Sequence, residues 1–253
     1  MTVAITREIS PRFAECELTH IERTPIDLEL ARLQHHAYVN MLRELGCDVT
    51  ALPAEADLPD SVFVEDTAFI LPEVAVITRP GADSRKPETD SIIQALTPLT
   101  KMVCVQEPAT VDGGDVLVLG KRIFIGRSTR SNQEAVDQLN DRLSKYGYSV
   151  TGIKLHDCLH LKSAVSRVDE KTLLINKNWV DPSDFEEFDL IEVDPSEPQA
   201  ANCLPVGGSI IFPSAFPKTA ARLEARGYQV ITLDISELAK AEGAVTCCSL
   251  ILQ

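Results

Sequence analysis

The chain has 253 residues, of which 44% are hydrophobic and 25% charged, the balance of an ordinary globular protein. Its formal net charge of −14 argues against nucleic acid or an anionic membrane as a partner, because both would repel it. Residues 1–10 lack the apolar core of a secretion signal, and no apolar stretch is long enough to cross a bilayer, so we expect a cytoplasmic protein.

The cysteines are odd in number and scattered, with no C-x-x-C pair. This usage argues against a disulfide framework and against a structural zinc site. Most of these cysteines are therefore expected to be buried small hydrophobic residues in a reducing compartment, and one with chemistry must be recognised from its neighbours. They are Cys16, Cys47, Cys104, Cys158, Cys203, Cys247 and Cys248.

A unit of about fifty residues repeats along the chain: two short β-rich runs, an amphipathic helix and a further strand. Four copies occupy residues 61–107, 113–155, 163–194 and 207–234. The fifth must be assembled from both termini: residues 3–9 and 246–252 supply strands, residues 27–46 the helix and residues 47–53 its exit strand.

Because the fifth unit needs both ends of the chain, the ring of units must close. The sequence thus predicts an α/β fold in which five ββαβ-type units form a closed propeller around a central channel, with residues 1–253 as one domain. The channel would be the natural place for a ligand. The alternative is an open doubly wound α/β sheet, which would have one β run rather than two before each helix.

Spacing also predicts details of two helices. In residues 27–46 the expected buried face consists of Leu30, Leu33, Ala37, Val39, Leu42 and Leu45, with Gly46 as the C-cap. In the second unit Ser131 is the expected N-cap, paired with Glu134 in a capping box.

Two segments carry candidate nucleophiles and bases. Cys247 and Cys248 lie in the last apolar run, where neighbours on a strand face opposite ways, so that one could face the channel while the other packs. His156, Cys158 and His160 recur with period two; this could be a metal-binding face, but it lacks a fourth ligand nearby. A histidine near the channel is also a candidate base for a cysteine.

Two further segments are rich in acids. The Asp112-Gly-Gly-Asp115 motif is either a tight turn or a place where Asp112 orients a histidine. Asp60, Glu65 and Asp66 lie in an apolar segment, where carboxylates need a cation. That cation is either a substrate guanidinium or an internal Arg79 or Arg85.

Together these segments resemble the dimethylarginine dimethylaminohydrolase family of guanidino-group-modifying enzymes, which has the pentein fold. The motifs follow one another in collinear order over essentially the whole chain. They are PDSVFVED (59–66), ITRPGADSR (77–85), DGGDVL (112–117), LHLKS (159–163), AANC (200–203) and GAVTCCS (243–249).

The resemblance implies Cys247 as nucleophile, His160 as acid/base and Asp112 as its carboxylate partner. The implied substrate-binding residues are Leu18, Asp60, Glu65, Asp66, Arg85, Arg130 and Ala241. Arg85 and Arg130 would clamp the substrate α-carboxylate, Asp66 would hold the guanidinium with support from Glu65, Leu18 is similar to a lid residue, and the backbone of Ala241 would meet the α-amine. The implied reaction converts Nω-methylated L-arginine to L-citrulline and methylamines through a covalent S-alkylthiouronium, without metal or cofactor.

The position two residues after His160 bears on the choice of substrate. Arginine deiminases, which are similar in fold, carry His-x-Asp there, whereas this chain has Lys162. A dimethylated nitrogen has no N–H to donate, so loss of that aspartate favours methylated arginine over arginine. The alternatives are a hydrolase of another small guanidino compound and, from a different class, a non-catalytic pentein-fold binding protein.

Overall fold

The computed structural model describes residues 2–252, and in that part of the chain no helix is long and apolar enough to cross a membrane. The strands are β1 (Val3–Arg7), β2 (Asp48–Leu52), β3 (Ala68–Ile70), β4 (Ala75–Ile77), β5 (Met102–Cys104), β6 (Val116–Leu119), β7 (Arg122–Arg127), β8 (Ser149–Lys154), β9 (Val165–Arg167), β10 (Thr172–Ile175), β11 (Asp189–Glu192), β12 (Leu204–Val206), β13 (Ser209–Pro213), β14 (Val230–Leu233) and β15 (Leu250–Leu252). The helices are α1 (Leu28–Glu44), α2 (Glu88–Leu96), α3 (Gln133–Ser144), α4 (Leu161–Ala164), α5 (Pro217–Ala225) and α6 (Ser236–Ala239).

The strands form five separate three-stranded sheets with one common pattern. In each sheet the middle strand pairs antiparallel with the inner strand and parallel with the outer one, as β7 does with β6 and β8. The last sheet joins the two ends of the chain: Ile5 of β1 faces Leu250 of β15 on one side and Thr50 of β2 on the other. The predicted closed ring of five units is confirmed, with the fifth built from both termini.

A cavity of about 350 Å³ marks the central channel. The inner strand of each sheet, which pairs antiparallel with the middle strand, lines this cavity. These inner strands are β3, β6, β9, β12 and β15. This cavity is also lined by polar side chains from the segments that precede β3, β9 and β15, namely Glu65, Lys162 and Thr246.

The apolar core is divided into clusters that neighbouring units share, as where Phe69 and Val76 of the first unit pack with α3 of the second. In the second unit, Leu139 and Leu143 of α3 pack with Ile123 and Ile125 of β7, and all four side chains are completely buried. Burying each such side chain contributes about 1.5–3 kcal/mol, so these layers hold the blades rigid around the channel.

The predicted buried face of α1 is wrong in its first half. Leu33 is 66% exposed and Leu30 38% exposed, whereas Ala31, Tyr38 and Leu42 are buried. The buried face also contains polar Gln34, whose amide donates to Ser236 Oγ and accepts from the N–H of Glu237. Because polar groups bonded to a neighbouring helix occupy the core side, the hydrophobic spacing pointed to the wrong stripe. Gly46 does follow the helix with φ +87°, as a C-cap glycine should.

The predicted start of α3 is wrong by one residue. Asn132 is the N-cap, and its side chain accepts the N–H of Ala135. Ser131 instead donates its hydroxyl to Asp115, inside the candidate site. In the third unit, residues 163–194, the helix that the repeat predicts is only a 3-10 turn, Pro182–Phe185.

Candidate active site

Cys247 and Cys248 lie in a turn at residues 245–248 that leads into β15, not inside the strand as expected. The alternation of strand faces is therefore not what separates them. Cys248 is 1% exposed and packs in the core, whereas Cys247 is only half-buried. The N–H of Ala244 donates to Cys247 Sγ at 3.3 Å, and the Cys247 carbonyl accepts from the N–H of Glu65 at 3.1 Å.

The substrate-free pocket disfavours the thiolate. Burial raises the pKa of the Cys247 thiol well above its usual value, and the carboxylates of Glu65 and Asp66 raise it further. A cation bound against those carboxylates would oppose their effect and lower the thiol pKa. The ionisation of Cys247 is therefore sensitive to a positively charged ligand bound beside it.

His160 and Asp112 meet as predicted. His160 Nε2 lies 3.3 Å from Asp112 Oδ2, and the other carboxylate oxygen accepts the N–H of Gly81 at 2.8 Å. Burial lowers the pKa of His160, but Asp115, Asp66 and Asp112 together outweigh it and raise the pKa to about 9. The ring is therefore an imidazolium at neutral pH, ready to donate a proton.

Asp115 holds the backbone next to His160. From the sequence alone this residue was expected only as part of a tight turn. Its Oδ1 accepts the N–H of Leu161, and its Oδ2 accepts hydroxyl protons from Ser128 and Ser131 at 2.6 Å each. Burial raises its pKa to about 6, against the lowering effect of the charged His160. The signal available in the sequence was the second aspartate of Asp-Gly-Gly-Asp, placed at the start of an apolar strand.

Asp66 lies at the centre of the site. Its Oδ2 receives a hydrogen bond from Arg85 Nη1 at 2.5 Å, and its Oδ1 accepts the N–H of Gly114 at 2.9 Å. Burial raises the pKa of Asp66, but Arg85 and His160 outweigh it and lower the pKa to about 2. The sequence left either Arg79 or Arg85 as an internal cation for these acids. The residue that pairs with Asp66 is Arg85.

Glu65 and Asp60 are engaged separately. Glu65 receives Lys162 Nζ at 2.5 Å and the hydroxyl of Thr246 at 2.7 Å. Asp60 accepts the N–H of Glu17 with both carboxylate oxygens, at 3.2 and 3.1 Å. Burial raises the pKa of Asp60, although the cationic Arg85 opposes this.

Both candidate carboxylate-binding arginines are buried and already bonded within the protein. Arg85 places Nε and Nη2 on the carboxylate of Glu88, a partner that the sequence analysis did not foresee. Arg130 reaches Asp112 Oδ2 at 3.3 Å with Nη1 and the hydroxyl of Thr19 at 3.1 Å with Nη2. Both cations are therefore anchored to the acids of the site.

The remaining two predicted residues belong to the hydrophobic cluster that contains the core around Cys248. Ala241 is 3% exposed, and the half-buried Leu18 packs against the same hydrophobic cluster, which also borders Cys247. The fold thus brings the ten predicted site residues into one region, and one of them, Glu65, also lines the central cavity. They come from loops and short turns of four of the five units.

One group within residues 2–252 has the geometry of a metal site: ligand atoms of Asp66, Asp112 and His160 lie within 4.8 Å of one another. These atoms already have hydrogen-bond partners in Arg85, Gly114 and one another. His156 is exposed and Cys158 is buried, and neither joins the group, so the period-two metal face considered from the sequence is wrong.

Gly114 allows the tight contact between the histidine and the acid. A methyl group at Gly114 would lie 2.6 Å from His160 Nδ1 and 2.9 Å from Asp66 Oδ1. We expect Gly114→Ala to displace both groups and to lower kcat by about 10²-fold, the cost of misplacing reacting groups by about 1 Å. Gly152→Ala is the control, since its added carbon would lie 3.3 Å from a flexible Arg127 side chain. Equal steady-state activity of the two folded variants would show that this contact is not needed.

Comparisons with known proteins agree with this geometry. A profile of the eukaryotic N,N dimethylarginine dimethylhydrolase family matches residues 19–192. The N(G),N(G)-dimethylarginine dimethylaminohydrolase of Streptomyces coelicolor is 40% identical over 253 residues, 99% of this chain and 96% of that protein. The protein of the same name from Pseudomonas aeruginosa is 38% identical over 227 residues, covering 88% and 89% of the two chains.

Solved structures show the same architecture. A cysteine-to-serine mutant of the Pseudomonas aeruginosa protein, complexed with citrulline, superposes with a TM-score of 0.94 at 34% identity over 98% of both chains. The N-terminal domain of ArgZ, a cyanobacterial arginine dihydrolase, matches with a TM-score of 0.87 at 17% identity, over 100% of this chain and 97% of that one. The second likeness concerns the fold alone.

The closed ring of five three-stranded sheets with its polar centre defines a pentein-fold protein of the guanidino-group-modifying class. Within that class, the chain belongs to the dimethylarginine dimethylaminohydrolase family.

Proposed function

We propose that this chain hydrolyses Nω-methylated L-arginine, both asymmetric dimethylarginine and monomethylarginine, to L-citrulline and the corresponding methylamine. The observation that carries the proposal is the half-buried Cys247 thiol beside two buried acids, together with an imidazolium held by Asp112. The names of the relatives and the citrulline complex of one of them support it. Residues 1–253 would act as one catalytic domain, and the seven free thiols favour a cytoplasmic location.

Charge explains how the substrate would bind. The guanidinium would lie against Asp66, with Glu65 and Asp60 nearby, since planar guanidinium–carboxylate pairs are strong and directional. Arg130 would hold the α-carboxylate at the other end of the substrate. Arg85 already bonds to Asp66, Glu88 and backbone carbonyls, so it would offer this carboxylate at most its remaining Nη1 proton. The backbone of Ala241 would meet the α-amine and Leu18 would act as a lid residue, so that the free amino acid is selected over a peptide.

In the first half-reaction the bound substrate cation lowers the thiol pKa, and Cys247 releases its proton to solvent. The thiolate attacks the guanidinium carbon, a C–S bond forms and the C=N electron pair moves to nitrogen. His160 then donates its proton to the methylated nitrogen, the C–N bond breaks and the amine leaves. The thiouronium cation remains on sulfur, and His160 is left neutral.

In the second half-reaction neutral His160 accepts a proton from water as the water oxygen attacks the same carbon. The C–S bond then breaks and its electron pair returns to sulfur. The hydroxyl proton passes to solvent as the urea carbonyl of citrulline forms. Asp112 stabilises each imidazolium, and Asp115 fixes the backbone after the ring.

Lys162 supports a methylated substrate. Its ammonium pairs with Glu65 and leaves no free acid at the position where arginine deiminases hold a second unsubstituted nitrogen. An acid placed against a dimethylated nitrogen would stay unpaired, which costs about 1–3 kcal/mol or more for a charged group. Arginine should accordingly be the poorer substrate.

The raised thiol pKa predicts how alkylation depends on pH. Since the pKa of Cys247 lies above its usual value, the thiol is protonated at pH 7 and iodoacetamide should modify it slowly, with the rate rising as pH passes through 9. Mass-spectrometric mapping separates this reaction from that of the exposed Cys104. A pH-independent rate between pH 6 and 8 would show a preformed thiolate and would contradict the ligand-induced ionisation.

The proposed function is tested by turnover of asymmetric dimethylarginine, monomethylarginine, arginine and agmatine side by side, with citrulline and the released amine both identified. We expect citrulline plus dimethylamine from asymmetric dimethylarginine, much slower turnover of arginine, and none of agmatine, which lacks the α-carboxylate. Arginine as the better substrate, with ammonia released, would refute the methylated substrate. No turnover of any of the four would favour a non-catalytic role.

A further inference from the structure

The side chain of Glu242 holds a loop near the candidate site. Its carboxylate accepts three consecutive backbone N–H groups, those of Thr19, His20 and Ile21, at 2.8, 2.6 and 3.1 Å. Hydrogen bonds to an ionised acceptor are about twice as strong as neutral ones. Glu242 and these three residues are 221 to 223 positions apart in sequence, so the hydrogen bonds form a tertiary contact and not a local turn.

The loop has little else to hold its backbone. The backbone N–H groups of this loop donate to carboxylates from distant segments. The Asp60 carboxylate accepts the N–H of Glu17, and the Glu242 carboxylate accepts the three N–H groups of residues 19–21. Leu18, a predicted substrate residue, lies between these two attachments.

Glu242 lies in the segment that leads to Cys247. It adopts φ 58°, an uncommon conformation for a residue with a side chain. It follows Ala241, whose backbone is predicted to meet the α-amine, and precedes Gly243, where an added carbon would lie 2.4 Å from the ring of Phe63. Ala244 comes next, and its N–H bonds to Cys247 Sγ.

We propose that Glu242 is a positioning residue, a latch that fastens the loop at residues 17–21 to the segment 241–248, which carries Cys247, and so places Leu18 and Ala241 at the amino-acid end of the substrate. This role rests on the proposed function. The loop is also tied to the carboxylate clamp, because Arg130 Nη2 reaches Thr19 Oγ1. The latch therefore joins the three elements that would recognise the amino-acid end of the substrate.

The direct test is hydrogen exchange of the Thr19, His20 and Ile21 amides in Glu242→Gly. Glycine removes the carboxylate and suits the positive φ, so the fold should be retained. We expect these amides to exchange at least about tenfold faster, as loss of charge-assisted hydrogen bonds in an exposed loop requires. Glu242→Asp, which keeps the carboxylate, should restore part of the protection. Glu224→Gln removes one negative charge from an exposed position and should change nothing.

Kinetics and ligand binding give the second readout. Glu242→Gly should raise KM for asymmetric dimethylarginine and Kd for citrulline by about tenfold, with a smaller change in kcat, because binding is lost while Cys247 and His160 remain in place. Unchanged amide exchange, or faster exchange with unchanged KM and Kd, would overturn the proposal. Failure of the parent protein to hydrolyse methylarginines would instead refute the proposed function, and amide exchange would still decide whether Glu242 holds the loop.

Discussion

Replacing Cys247 with serine should lower turnover of asymmetric dimethylarginine by at least about 10³-fold, whereas Cys248→Ser should retain most of it. A hydroxyl at Cys247 is a much weaker nucleophile toward a guanidinium, and every later step depends on the sulfur. Cys248 is 1% exposed and packs in the core, so its replacement should affect mainly thermal stability. Steady-state rates together with thermal unfolding of both variants measure the two effects.

The matched pair makes this result specific, because the two residues are adjacent and carry the same chemical change. Greater loss in the Cys248 variant, with both proteins folded, would show that the nucleophile has been assigned one residue too early. Similar losses in both would point to a disturbed turn at residues 245–248 rather than to chemistry.

Replacing His160 with glycine should lower turnover by roughly 10²–10⁴-fold or more, since this residue serves as acid in one half-reaction and as base in the other. The control is His156→Ala, because His156 is exposed and outside the site. Initial rates of both variants under saturating substrate provide the comparison, and an external imidazole should partly rescue the glycine variant.

The pH profile of the same experiment gives a sign to check. The pKa of His160 is raised to about 9, so the ring is protonated below pH 9 and loses its proton as pH rises past that value. The first half-reaction needs the protonated ring, so the parent should lose rate above pH 9. A His156→Ala variant as damaged as His160→Gly would contradict these roles.

The architecture could be predicted from the sequence because the repeats carry it. Two β runs precede each helix, and the fifth unit needs both termini, which forces the ring to close; the pairing of β1 with β15 and β2 follows from that count. Individual elements were less predictable where side chains at a core position are polar. On α1, Gln34 is bonded to α6 and occupies the buried face, so hydrophobic spacing placed Leu33 inside when it is 66% exposed.

Sequence motifs also identified the candidate site residues, but they did not identify the neighbouring residues that hold those side chains in place. Family resemblance points to His160 and Asp66, but no spacing rule shows that Gly114 lets them approach or that Glu88 holds Arg85. The long-range contact of Glu242 with residues 19–21 could not be predicted either, because no spacing rule links residues so far apart in sequence. Such contacts join segments far apart in sequence, and only the closed ring brings them together.

The central claim is that the substrate carbon becomes bonded to Cys247 during turnover. The direct measurement is rapid acid quench of the protein with asymmetric dimethylarginine, followed by mass spectrometry of the peptide that contains residues 246–249. We predict an added mass equal to the substrate less dimethylamine, assigned to Cys247 by fragmentation and still present in Cys248→Ser. Turnover with no adduct on Cys247, or an adduct on Cys248 instead, would contradict the account.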